Sequence, residues 1–215
     1  MSREETKSNL LVAAMIASCA IFLFGLLLGN YLATTRIEKF QETEEFFLVQ
    51  LIALEFREPL VRDVCGIEWE EIWEFKTSLG RMLTSLEKRL GKDNKKLKTR
   101  KEIYELIEIK IFNILERIKE ECNEDFDLVL FFYTNKKNDP LGSVAACEDQ
   151  GLIIDQIVRE REKKINVFAF DINSKNVASI TLRKKYNITR APSLVINGKT
   201  YGYLTKKEIE KLLDS

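Results

Sequence analysis

Four cysteines and no histidine set the chemistry open to this 215-residue chain. Without histidine there is no Ser-His-Asp or Cys-His nucleophile and no imidazole ligand for a metal. The thiols, Cys19, Cys65, Cys122 and Cys147, are scattered, and none are paired at C-x-x-C spacing. A zinc site would need them to converge from far apart, so neither a metal nor a cofactor is expected. No G-x-x-x-x-G-K-[ST] or G-x-G-x-x-G occurs, which leaves nucleotide binding without support. Asn187-Ile188-Thr189 is a glycosylation sequon whose use depends on host and compartment.

The elements that would position Cys147 are legible in the last ninety residues. Leu128 to Tyr133, a helical pattern up to Arg161, and Ile165 to Asp171 read as β, α, β. A second helical pattern, Ser174 to Tyr186, leads into Pro192 and a short apolar strand, Ser193 to Ile196. Asn197-Gly198 is a two-residue hairpin turn, followed by a strand from Lys199 to Leu204. Thr205 and Glu208 form a capping box that opens a final helix.

This β-α-β-α-Pro-β-β-α order resembles the thioredoxin fold over roughly Asp125 to Ser215, and Gly202-x-Leu204-Thr205-Lys206 resembles the ending of thioredoxins themselves. The resemblance implies a cis peptide bond between Ala191 and Pro192, beside a groove that holds extended polypeptide. It also implies a C-x-x-C at the start of the helix after the first strand, where the helix N-terminus makes the first thiol a nucleophile. Here Cys147 falls at the second, resolving position, and Val144 stands where the attacking cysteine would be. Glu148 and Asp149 flank Cys147 and disfavour a thiolate. Leu130 stands where thioredoxins place a buried carboxylate. The expectation is a degenerate dithiol site, with a monothiol role for Cys147 as the competing reading.

Upstream the composition changes. Ser8 to Thr35 carries no charge, and Leu10 to Leu32 is almost continuously apolar. That run suffices to cross a bilayer core of about 30 Å and exceeds an ordinary signal-peptide core of about 7–15 residues. An uncleaved anchor is expected over 9–34, after a short tail, 1–8. Gly25, Gly29 and Ala33 make a small-residue stripe of the kind that lets membrane helices approach, so a homodimer through this helix is one possibility. Arg3 and Lys7 before the span balance Arg36 and Lys39 after it, so the positive-inside count is a tie. The short leading tail favours the soluble part outside.

Residues 35–122 read as a stalk of three helices, about Ile37 to Arg57, Ile67 to Leu90, and a third opened by a capping box at Thr99 and Glu102. Trp69 and Trp73, one turn apart, read as packing residues rather than a ligand cage. Each helix of about 20–25 residues spans about 30–37 Å. An antiparallel return therefore brings Cys65 and Cys122 to one end, with Cα atoms within about 7 Å. They could form a disulfide contributing about 3–4 kcal/mol, or remain two thiols near helix ends. The basic run Lys88, Arg89, Lys92, Lys95, Lys96, Lys98, Arg100 and Lys101 reads as a solvated loop, with anionic lipid as the alternative contact. Balanced charge, 34 basic against 34 acidic residues, and the lack of interleaved aromatics argue against nucleic acid.

The expected architecture is α+β: an N-terminal transmembrane helix, an antiparallel helical stalk, and a thioredoxin-like α/β domain over 125–215. The expected function is a single-pass membrane protein presenting a degenerate thioredoxin-like domain as a binding or assembly module. Its partners are membrane lipid and protein or extended polypeptide. Two alternatives stand beside it: a membrane-tethered thiol-disulfide oxidoreductase using Cys147, and a passive structural subunit oligomerising through anchor and stalk.

Overall fold

The computed structural model describes residues 3–60, 63–91, 94–161 and 164–214, with side chains over 13–32, 45–56, 63–91, 94, 97–161 and 164–214. Ala33, Lys92, Lys95 and Lys96 lie outside the residues whose side chains are described. The described residues form seven helices and a four-stranded sheet, a mixed α+β chain. Two compact units divide at Phe46 and Phe47.

Helix α1 runs from Arg3 to Leu60, longer than the separate anchor and first stalk helix read from the sequence. No glycine or proline interrupts it between Tyr31 and Glu58, so nothing in the sequence stops the helix there. Its stretch Ala13–Leu32 is long and apolar enough to cross a membrane, and Leu23, Leu27 and Leu28 are exposed along it. A Cβ at Gly25 or Gly29 would meet nothing within 4 Å.

In the second unit, a 3-10 turn, Val64–Gly66, precedes α2, Trp69–Leu90, and α3, Lys95–Cys122. Helix α3 begins four residues before the capping box read at Thr99. Leu97 is fully buried and anchors that extra turn, and the lysine-rich segment favours helix. Helices α2 and α3 are antiparallel: Lys101 pairs with Glu87 at 3.0 Å, and Trp69 lies 4.9 Å from Phe126. The last part of α1 runs parallel to α3, with Phe47 edge-on to Tyr104 and Glu55 3.4 Å from Lys110. This up-down-up course brings Cys65 and Cys122 together as a disulfide, Cα atoms 5.4 Å apart.

The sheet has the order β2-β1-β3-β4, built from β1 (Asp127–Tyr133), β2 (Ile165–Asp171), β3 (Ser193–Ile196) and β4 (Lys199–Tyr201). β1 pairs parallel with β2 and antiparallel with β3, and β3 pairs antiparallel with β4. The β3–β4 hairpin turns on Asn197 and Gly198, both at positive φ, as the Asn-Gly pair expects. The parallel β1–β2 pair is crossed over by α4, Val144–Glu160, and α5, Val177–Lys185, leads to β3. The closing helix α6, Lys206–Leu213, starts at the capping box, where the Glu208 carboxylate accepts from the Thr205 backbone N–H at 2.8 Å.

Val129, Leu130, Phe131 and Phe132 of β1 are all buried, so both faces of the sheet are covered. Gly151 of α4 lies against Phe131 on one face, and α6 packs beside α4. The other face is closed by α3 and α5. Phe112 of α3 stands edge-on to Phe168 at 5.6 Å, and Lys185 of α5 pairs with Glu116 of α3 at 3.1 Å. Helix α3 thus serves as a layer of the sheet's own core, and α2 and α3 share a compact unit with the sheet. Burying each such phenylalanine contributes about 1.5–3 kcal/mol.

The outer edge of β2 is met by side chains. Lys76 of α2 donates to the Val167 carbonyl, Glu105 of α3 accepts from the Asp171 N–H at 3.4 Å, and between them the Ala169 N–H favours the charged form of the buried Glu108 carboxyl. The three strand residues are spaced by two. Burial pushes the Glu108 carboxyl up, opposed by the Lys76 charge, and pushes the Lys76 ammonium down, opposed by Glu108. The ammonium also sits 4.2 Å from the centre of the Phe168 ring. Two buried charges are costly unless paired, and removing one partner typically costs about 3–5 kcal/mol.

Two outcomes are expected from denaturant unfolding of the detergent-solubilised full chain. Lys76→Met loses about 3–5 kcal/mol. The double variant Lys76→Met with Glu108→Leu recovers only part of this, because the orphaned Val167 carbonyl costs about 1–3 kcal/mol. A double variant as stable as the original would show a charge pair with no part in the strand edge. Reducing Cys65–Cys122 is expected to lower stability by about 3–4 kcal/mol, by loosening a loop closed over a separation of 57 residues.

Candidate functional site

Ser143 caps α4, its side chain accepting from the Ala146 N–H at 3.3 Å. Val144 is therefore the first helical residue, at the position where the resemblance expects the attacking thiol. Cys147 lies one turn later and faces inward, buried, with the Thr134 N–H donating to its sulfur at 3.4 Å. Burial pushes the Cys147 thiol up, and the Asp139, Asp171 and Glu148 charges add to this while the Thr134 N–H opposes it. A thiol held in this way is a poor nucleophile at neutral pH. Leu130 is buried inside β1.

A surface cavity of 460 Å³ opens at this helix start, lined by Lys137, Asn138, Gly142, Ser143 and Val144. No thiol lines it. Beneath it Asp139 accepts from the Asn173 side chain at 2.6 Å, from the Thr134 hydroxyl, and from the Leu141 N–H at 3.0 Å. These three donors, Asn173 first, hold the Asp139 carboxyl well below the usual carboxylate range, near about 2. Asp139, Thr134 and Asn173 are not among the candidate residues named from the sequence. The dipeptide Asp139-Pro140 is a turn signal that could have flagged the first of them.

The Ala191–Pro192 bond is cis, as expected. Ala191 lies directly against the loop before α4: its N–H donates to the Leu141 carbonyl at 2.8 Å, and its carbonyl accepts from the Ser143 N–H at 3.4 Å. A Cβ on Gly142 would sit 2.3 Å from the Ala191 oxygen, so only glycine permits this approach. Both backbone groups of Ala191 are thus engaged within the chain. This bears on the peptide groove read at Ala191 and Pro192: an extended polypeptide would have to displace the Leu141–Ser143 segment to pair there.

The remaining site residues are spread through the fold. Cys65 and Cys122 are joined to each other, and Cys19 is exposed on α1. Among the described residues no cluster of three or more His, Cys, Asp or Glu side chains is arranged to hold a metal. No protein-family model matches the chain, and no curated protein matches it.

Gly142→Ala is expected to force the Leu141–Ser143 segment away from Ala191. Stability should fall by about 1–3 kcal/mol, the usual range for overpacking, and the Ala191 amide should exchange with solvent faster. An unchanged exchange rate would show that the contact is not held by close approach.

Proposed function

We propose that this chain is a membrane-anchored, thioredoxin-like domain without a catalytic dithiol, serving as a binding or assembly module. The observation that carries the reading is the start of α4. A valine occupies the first helical position, and the single thiol of the helix is buried with a backbone N–H directed at its sulfur. Thiol-disulfide exchange needs an accessible thiolate to attack and a second thiol to resolve the mixed disulfide. Cys147 supplies neither half of such a pair, and Cys65 and Cys122 are bonded to one another.

Support for the thioredoxin-like assignment comes from the strand order, the cis bond before β3 and the helix layers on both faces. Support for the anchor comes from Ala13–Leu32, whose length and composition suit a bilayer. The Cys65–Cys122 disulfide favours an extracytoplasmic soluble part, since such bonds persist in oxidising compartments. Partner binding that relies on main-chain pairing at Ala191 is disfavoured by the contacts with Leu141 and Ser143. A protein partner would instead meet the outer surface of the unit.

The full-length protein in detergent is expected to show no turnover in an insulin-reduction assay, and native Cys147 should resist a small alkylating reagent near neutral pH until the chain is denatured. Turnover abolished by Cys147→Ser would overturn the non-catalytic reading in favour of an oxidoreductase.

A further inference from the structure

We propose that Asn187 is an N-glycosylation site, accepting an oligosaccharide from a lipid-linked diphosphate donor. Asn187-Ile188-Thr189 is the single N-x-[ST] triplet in the chain, and neither Ile188 nor Arg190 is proline. The triplet lies between α5 and β3. Its middle residue, Ile188, is buried in the core, while Asn187 and Thr189 on either side are exposed. The buried isoleucine fixes the loop and leaves both functional side chains outside.

The backbone there is fixed as well. Asn187 follows the last residue of α5's C-cap, Tyr186, and has φ 54°, the left-handed conformation that asparagine tolerates. Its N–H donates to the Lys184 carbonyl at 3.2 Å, and the Ile188 N–H donates to the Arg183 carbonyl at 2.9 Å. Among the described residues, no hydrogen bond engages the Asn187 carboxamide. Three other asparagines are committed to the fold: Asn173 to Asp139, Asn176 to the Ala178 N–H, and Asn197 to the Leu212 carbonyl. A glycan on Asn187 would displace no side-chain hydrogen bond of the fold.

In the transfer, the carboxamide nitrogen attacks the anomeric carbon of the donor sugar. The C–N bond forms, the bond from that carbon to the diphosphate oxygen breaks, and the lipid diphosphate leaves with the electron pair. The amide loses one proton, and nothing is oxidised or reduced. The site rests on the extracytoplasmic reading above, because the acceptor must reach the compartment where such donors are presented.

The test is mass spectrometry of the full-length protein from native membranes, digested with trypsin without reduction. The peptide Tyr186–Arg190 is expected to carry a glycan mass, with Cys65 and Cys122 peptides linked. Thr189→Val, which leaves Asn187 in its turn, is expected to abolish the added mass, and Thr189→Ser to retain it. An unmodified peptide beside an intact Cys65–Cys122 link would overturn the site while leaving the extracytoplasmic reading standing. An unmodified peptide with both cysteines reduced would overturn both.

Discussion

A strand at the edge of a sheet leaves alternate N–H and C=O groups without a strand to pair with, and β2 is such a strand, buried on its faces and outermost in the order β2-β1-β3-β4. Its edge is met by Lys76 and Glu105, which bond the Val167 carbonyl and the Asp171 N–H, with the buried Glu108 carboxyl between them. The helices that supply these side chains are thereby tied to the sheet by polar contacts as well as by the Phe112–Phe168 packing. Carrying two charges into the interior costs several kcal/mol, but the alternative is a set of orphaned backbone groups. The disulfide between the turn before α2 and the end of α3 holds the same two helices together from their far end.

From that edge a polar network continues into the candidate site. Glu105 also accepts from Ser174 at 2.6 Å and from Ser179 at 3.0 Å, fixing the loop after β2. Asn173 in that loop reaches Thr134 at 3.1 Å and Asp139 at 2.6 Å. Thr134 directs its N–H at Cys147, and Asp139 holds Leu141, whose carbonyl receives the Ala191 N–H. Every member has a structural partner, and each contact stabilises a closed arrangement at the start of α4. The same network keeps the Cys147 thiol buried beneath the start of the helix.

Much of the fold was legible because local chemistry dictates it. Asn197-Gly198 specifies its hairpin, Thr205 and Glu208 specify the last helix start, and the helix lengths bring Cys65 to Cys122. Other features were hidden because they depend on distant partners. Lys76 and Glu108 look like residues of a solvated helix face, and only the exposed edge of β2 explains their burial. The third helix was read as part of a stalk apart from the sheet, yet its Phe112 packs on the sheet face against Phe168. Gly142 carries no signal of its own until Ala191 is seen beside it. At the site, the place of Val144 one turn before Cys147 was legible in the sequence, whereas the contacts that close Ala191 were not.

The central claim, that helix side chains complete the β2 edge, is tested most directly by amide hydrogen exchange on the full-length protein. The Asp171 amide is expected to exchange as slowly as those of the central strand β1 and to lose protection in Glu105→Leu. Exchange there as fast as at Lys199 to Tyr201, the short exposed strand on the opposite edge, would contradict it.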